Sequence, residues 1–226
     1  MAESVSAFEN EIAAFEAADK RDPPPPGAVL FTGSSTIRLW KTLESDFPLM
    51  KVLNRGFGGS QVPDLIDVAG RIISPYAPRQ VVIYSGDNDL GAGKTVDRVF
   101  ADFRALTDRI RSLLPGQPMT FISVKPSLLR WKLAPQIREV NRRLKRFAMD
   151  CSGVSFVDVY TPMLGHDRKP RPDLYAADGL HLSPKGYVLW AERVGRLLGR
   201  VLREPARRQK STRCSRHPSQ PKSLFV

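Results

Sequence analysis

The chain has 226 residues, 42% hydrophobic and 26% charged, with a formal charge of +12 at neutral pH. That length suits one domain with a sizeable core, and no apolar run approaches the roughly 20 residues that cross a bilayer, so membrane insertion is not expected. Nucleic acid is not an expected partner either, because residues 203–226 carry seven Lys and Arg against one Glu and so hold half of the excess charge.

The N-terminal stretch is acidic and places Phe8, Ile12, Ala13 and Phe15 at helical spacing. It has neither the basic nor the apolar region of a secretory signal, so the expected location is the cytoplasm. Pro23 to Pro26 and Gly27 stop this helix, because a polyproline run offers no backbone donors. A short apolar run, Ala28 to Phe31, then enters Thr32-Gly33-Ser34-Ser35, the pattern of a buried strand feeding a tight turn. The pattern repeats: Lys51 to Asn54 reaches the cluster Gly56-Phe57-Gly58-Gly59, and Val62 to Ile73 fits a helix.

A third strand, Gln80 to Tyr84, ends in Ser85-Gly86-Asp87-Asn88-Asp89. Thr95 caps the next helix, whose Val96, Val99, Phe100, Phe103, Leu106, Ile110 and Leu113 share one face. A fourth strand, Met119 to Val124, precedes a helix carrying Ile137, Val140, Leu144 and Phe147. The fifth strand, Val154 to Val157, leads into a Pro-rich loop. The last helix runs from about Pro184 to Leu202, with Val188, Leu189, Val194, Leu197, Leu198 and Val201 assigned to its apolar face.

Strands alternating with amphipathic helices require a parallel sheet covered on both faces. The predicted fold class is therefore α/β, a three-layer α/β/α sandwich around a five-stranded parallel sheet of flavodoxin-like order. The predicted organisation is an N-terminal helix and Pro-rich linker over residues 1–27 packing on a domain at 28–202. A basic tail at 203–226, rich in Ser, Pro and Gln, is expected to be disordered. Cys151 and Cys214 have no metal-ligand spacing and are expected to be unpaired thiols, one partly buried and one exposed.

Ligands of an open parallel sheet bind beyond the carboxyl ends of its strands. Four sequences fall on that edge: Gly33-Ser34-Ser35, Gly58-Gly59, Gly86-Asp87-Asn88-Asp89 and Asp178-Gly179-Leu180-His181. A serine hydroxyl needs a base, histidine is the base suited to neutral pH, and a carboxylate fixes the histidine's tautomer. Ser35, His181 and Asp178 supply these types. The N–H groups of Ser35 and Gly59 and the side-chain amide of Asn88 supply donors for a tetrahedral oxyanion. Taken singly, each residue is more often a turn, cap or surface residue; their joint occurrence on one edge favours catalysis. Asp87 and Asp89 are thin grounds for a metal site, and Asp89 is expected to order its turn. Lys125, Arg130 and Trp131 are candidates to border the acyl or leaving-group pocket, with packing of Trp131 under the following helix as the equal alternative. His166 is expected to be exposed.

These blocks, in this order, resemble the SGNH (GDSL-like) hydrolase family: Gly33-Ser34-Ser35 its first block, Gly58-Gly59-Ser60 its second, Gly86-Asp87-Asn88-Asp89 its third and Asp178-Gly179-Leu180-His181 its fifth. The likeness spans about residues 28–200. It implies Ser35 as nucleophile, Asp178 and His181 as its triad partners, Ser35, Gly59 and Asn88 as the oxyanion hole, and no metal or organic cofactor. The family usually has aspartate where this chain has Ser34; Ser35 holds the nucleophile's place in the block, as Gly59 rather than Gly58 holds the second. The implied substrate is a small or short-chain acyl ester, with acetylated carbohydrate in view because no long apolar segment suggests a lid. Two rival classes remain: a flavodoxin-like phosphate or flavin mononucleotide binder using the Thr32–Thr36 turn, and an inactive binding module on the same fold.

Overall fold

Five apolar segments pair as the strands β1 (Val29–Gly33), β2 (Val52–Gly56), β3 (Gln80–Tyr84), β4 (Met119–Ile122) and β5 (Val154–Val157). All pair in parallel, in the order β2-β1-β3-β4-β5, in a computed structural model that describes residues 3–202. The basic tail and Cys214 lie outside the described residues. This is the expected flavodoxin-like order, and β1 sits at its switch point, where the sheet grows outward on both sides. Both β1 and β3 are buried along their whole length, as strands covered on two faces must be.

The helices are α1 (Glu3–Arg21), α2 (Ser35–Arg38), α3 (Leu43–Asp46), α4 (Val62–Ile72), α5 (Asp87–Gly91), α6 (Val96–Leu113), α7 (Ala134–Asp150) and α8 (Pro184–Val201). Alternation of side chains along the strands divides the core in two. On one face Leu30, Val81, Ile83 and Phe121 meet α1, α4, α6 and α7 through Ile12, Leu65, Phe103 and Val140. On the other, Phe31, Val82, Tyr84 and Ile122 meet the α2–α3 segment and α8 through Trp40, Phe47, Trp190 and Val194. Three layers follow.

The helix periodicity predicted for α6 holds, with Val99, Phe103, Leu106 and Ile110 buried and the Thr95 side chain accepting the Arg98 N–H at its start. In α8 the buried stripe is Tyr187, Trp190, Val194 and Leu198, whereas Val188, assigned to that face, is 66% exposed. The two aromatic rings fill the space over β1 and β3, where Trp190 packs edge-on against Tyr84 and Trp40, so they set the helix rotation. Cys151, buried where α7 ends, is disulfide-bonded, contrary to the thiol expected. Among the described residues no helix is long and apolar enough to cross a membrane.

The first helix is tied to α4 and to β2 by charge as well as by packing. Arg71 on α4 donates to both Glu9 and Glu16, and Asp19 accepts from Arg55 and Tyr76.

Candidate active site

The chain leaves β1 through Gly33, whose φ of +134° is open only to glycine and whose added Cβ would lie 1.8 Å from the Tyr84 carbonyl oxygen. This close approach lets the Ser34 N–H donate to Tyr84 O at 3.1 Å and aims the next residue past the sheet edge. Ser35 opens α2 there. Its Oγ lies 3.0 Å from His181 Nε2, and its N–H has no acceptor among the described residues. The neighbouring Ser34 points inward: it is 1% exposed, and its Oγ has no hydrogen-bond partner among the described residues.

His181 arrives on the loop before α8. Asp178 accepts the Leu180 and His181 backbone N–H groups at 2.9 Å each through Oδ1, while Oδ2 lies 2.5 Å from His181 Nδ1. Gly179, at φ +65°, makes the turn that allows this wrap, and its carbonyl accepts the Leu129 N–H at 3.1 Å. The hydrogen bond from His181, with the two backbone N–H groups, pulls the Asp178 carboxyl down to about 2. An ionised carboxylate only accepts, so Nδ1 carries a proton, and in the neutral ring Nε2 then turns a lone pair toward the Ser35 hydroxyl.

Two adjacent glycines follow β2, and their N–H groups have different fates. The Gly58 N–H donates to the Glu11 carboxylate of α1 at 3.1 and 3.3 Å. The Gly59 N–H has no acceptor among the described residues, and Gly59 is exposed at φ +71°. Only Gly59 is therefore open to a substrate oxygen.

Asn88, on α5, donates through Nδ2 to the Ser60 carbonyl at 3.1 Å and accepts through Oδ1 from Arg130 Nη1 at 3.0 Å. Arg130 Nη1 also donates to the Asp87 carbonyl at 2.9 Å. The Asp87 carboxylate is itself buried and pairs with the buried Lys125, whose Nζ lies 2.9 Å away. Burial alone would raise the Asp87 carboxyl; the charge and hydrogen bond of Lys125, with Arg130, outweigh it and hold the carboxyl below its ordinary value. Lys125 and Arg130 thus both hold the Asn88 segment, one through the Asp87 carboxylate and the other through the Asp87 and Asn88 carbonyl oxygens.

Asp89 accepts the Val62 N–H and pairs with Lys94 at 2.9 Å, ordering the turn as expected, and burial raises its carboxyl. Among the described residues no three potential metal ligands gather. Trp131 packs against the α6–α7 side of the core and also lines a hollow of about 330 Å³ with Leu128, Lys169, Pro170, Arg171 and Pro172. An added Cβ on Gly179 would lie 3.2 Å from Leu128 Cβ, so this hollow borders the His181 loop. His166 is exposed. The turn offered for a phosphate is largely spent inward: Thr32 donates to the Arg55 carbonyl, and Ser34 donates through its N–H to Tyr84.

Sequence reasoning missed Glu11 and the role of Arg130. Neither stands near the motif it serves, and only the folded contacts bring them there.

Residues 29–189 match the model of the GDSL-like lipase/acylhydrolase family. A GDSL esterase/lipase of Oryza sativa subsp. japonica is 26% identical, over 77% of this chain and 79% of its own. The crystal structure of a GDSL-like lipase from Bacteroides thetaiotaomicron VPI-5482 superposes with a TM-score of 0.72 at 20% identity, covering 84% of this chain and 98% of that one. A family 3 carbohydrate esterase from Clostridium thermocellum gives a TM-score of 0.64 at 16% identity, over 78% of this chain and 98% of the other. Both structural likenesses concern the fold.

Proposed function

This chain belongs to the GDSL-like lipase/acylhydrolase family and so is an ester hydrolase, and we propose that it cleaves its ester through an acyl-enzyme formed on Ser35. The observation that carries the proposal is the hydrogen-bonded line from Ser35 Oγ to His181 Nε2 at 3.0 Å and from His181 Nδ1 to Asp178 Oδ2 at 2.5 Å. His181 takes the hydroxyl proton as Oγ attacks the ester carbonyl, and Asp178 stabilises the imidazolium that results. The carbonyl oxygen gains its charge among three donors, the N–H groups of Ser35 and Gly59 and the second amide hydrogen of Asn88. When the tetrahedral species collapses, the alcohol leaves with the proton held by His181. A water then loses its proton to the same nitrogen as it attacks the acyl carbonyl, and the second tetrahedral species collapses to the carboxylic acid as His181 returns that proton to Ser35 Oγ.

For substrate we propose a short acyl ester, with acetylated carbohydrate as the preferred class. The hollow of about 330 Å³ beside the His181 loop is small and mixes the apolar Leu128, Trp131 and two prolines with Asp167, Lys169 and Arg171, which suits a compact, polar leaving group better than a long alkyl chain. The carbohydrate esterase of like fold is consistent with this preference.

Hydrolysis of p-nitrophenyl acetate and its longer-chain homologues, compared between the wild type and Ser35→Ala, tests the reading. The variant is expected to lose several orders of magnitude in kcat while staying folded. Turnover within about tenfold of wild type would sink the acyl-enzyme. A rate that rises with chain length beyond butyrate would sink the short-acyl assignment.

A further inference from the structure

We propose that Arg130 is a positioning residue that fixes which end of the Asn88 amide faces the substrate. The inference rests on the reading of Asn88 as an oxyanion donor and concerns what keeps it one. A side-chain amide presents an acceptor at one end and donors at the other, and half a turn about its last torsion exchanges them. Arginine has no acceptor, so with Arg130 Nη1 3.0 Å from one end of the Asn88 amide, that end must be Oδ1. The Ser60 carbonyl can only accept, so the end 3.1 Å from it must be Nδ2. Two partners from different loops thus impose the same orientation. One Nδ2 hydrogen is spent on Ser60, and the other is left for a developing oxyanion.

Arg130 is in turn held in place. Its Nη1 donates to the Asp87 carbonyl at 2.9 Å and lies 3.5 Å from the Asp87 carboxylate, which the buried Lys125 anchors from the other side. Room for the guanidinium depends on Gly91, where a Cβ would come within 2.9 Å of Arg130 Cζ. The last residue of α5 is therefore small where the arginine crosses behind it. The segment after β4 thus sets the geometry of a donor carried after β3.

The experiment measures kcat and KM for p-nitrophenyl acetate in single and double variants. Arg130→Ala is expected to lower kcat by about 10- to 100-fold with KM within about twofold, less than the 100-fold or greater loss expected for Asn88→Ala, because the donor is loosened and not deleted. Arg130→Lys keeps one charged donor and should fall between the wild type and Arg130→Ala. Gly91→Ala adds a methyl against the Arg130 guanidinium, and by displacing it should lower kcat in the same direction. If Arg130→Ala fails to fold, these two variants carry the test. In an Asn88→Ala background, Arg130→Ala should add less than about a twofold loss, because both act through one amide. Full multiplication of the two losses, or a raised KM at unchanged kcat, would overturn the inference and make Arg130 a direct substrate contact. Labelling by a fluorophosphonate separates the two levels. If the wild type is not labelled at Ser35, the acyl-enzyme reading fails and this inference with it. If labelling is intact and Arg130→Ala turns over like wild type, the inference alone fails.

Discussion

Replacing Lys125 by methionine keeps an unbranched side chain of similar length and deletes the ammonium 2.9 Å from Asp87 Oδ2. Lys125 is 1% exposed and Asp87 6%, so water screens neither well. At that separation Coulomb's law with an effective dielectric of about 20 gives an attraction of about 6 kcal/mol, set against a desolvation cost of several kcal/mol for each ion. Deleting one partner leaves the other buried and charged, which commonly costs about 3–5 kcal/mol. Arg130, 3.5 Å from the same carboxylate, remains as a partial partner and puts the expectation near the low end, about 3 kcal/mol. In a domain of this size that loss lowers Tm by about 6–12 °C.

The pH dependence has a definite sign. In the wild type the Asp87 carboxyl is held below its ordinary value, so its contribution is present above the unfolded-state value and is lost as pH falls through the folded one. In Lys125→Met the burial that favours the neutral acid is no longer opposed by the lysine, and the folded value rises above the unfolded one. The penalty is then smallest where Asp87 is protonated and grows as pH climbs. Urea unfolding of both proteins at pH 5 and pH 8 should show the larger destabilisation at pH 8. A loss below about 1 kcal/mol, or a larger one at pH 5, would refute the view that this pair is a buried ion pair.

Ser34→Ala removes a buried hydroxyl that has no partner among the described residues, so stability should stay level or rise slightly by urea unfolding, and kcat should stay within about threefold of wild type. A collapse of activity comparable to Ser35→Ala would mean that the two adjacent serines have been assigned in the wrong order. Glu11→Ala frees the Gly58 N–H and loosens the loop bearing Gly59, and should lower kcat by about tenfold with p-nitrophenyl acetate, whereas Glu11→Gln, which keeps an acceptor, should restore most of it. Equal losses in the two Glu11 variants would show that charge matters there and the hydrogen bond does not.

Much of this architecture is legible in the linear chain because it depends on local pattern. Runs such as Gln80 to Tyr84 are continuous and apolar, as a strand buried on both faces requires. The glycines after three of them, Gly33, Gly59 and Gly86, all adopt positive φ, so the turns that deliver the site are written in residues with a backbone reason to be there. The short helices α2, α3 and α5 span only four or five residues, too few for a helical period to register, and they read as turns. In α8, Val188 and Tyr187 are neighbours with similar claims to the core, and only the aromatic cluster around Trp40 and Trp190 decides between them. Glu11 meets Gly58 across 47 positions and Arg130 meets Asn88 across 42. Both are charged residues on amphipathic or loop segments where a solvated role is the ordinary one, so no pattern marks them in advance.

The three prospective oxyanion donors are held by contacts from different parts of the molecule, and this bears on how the site holds its geometry. Ser35 is aimed by β1 pressing Gly33 against β3 at the centre of the sheet. Gly59 sits on a loop whose preceding N–H is engaged by Glu11, reaching in from the first helix. Asn88 is clamped between the Ser60 carbonyl of that same loop and Arg130 from the segment after β4. The Ser60 contact links the second and third donors, so a disturbance of the β2 loop reaches both. Preorganised donors contribute most when they need no rearrangement as charge develops. Here two of the three are restrained by charged side chains, Glu11 and Arg130, whose hydrogen bonds to the Gly58 N–H and to the Asn88 amide are already made before any ester binds.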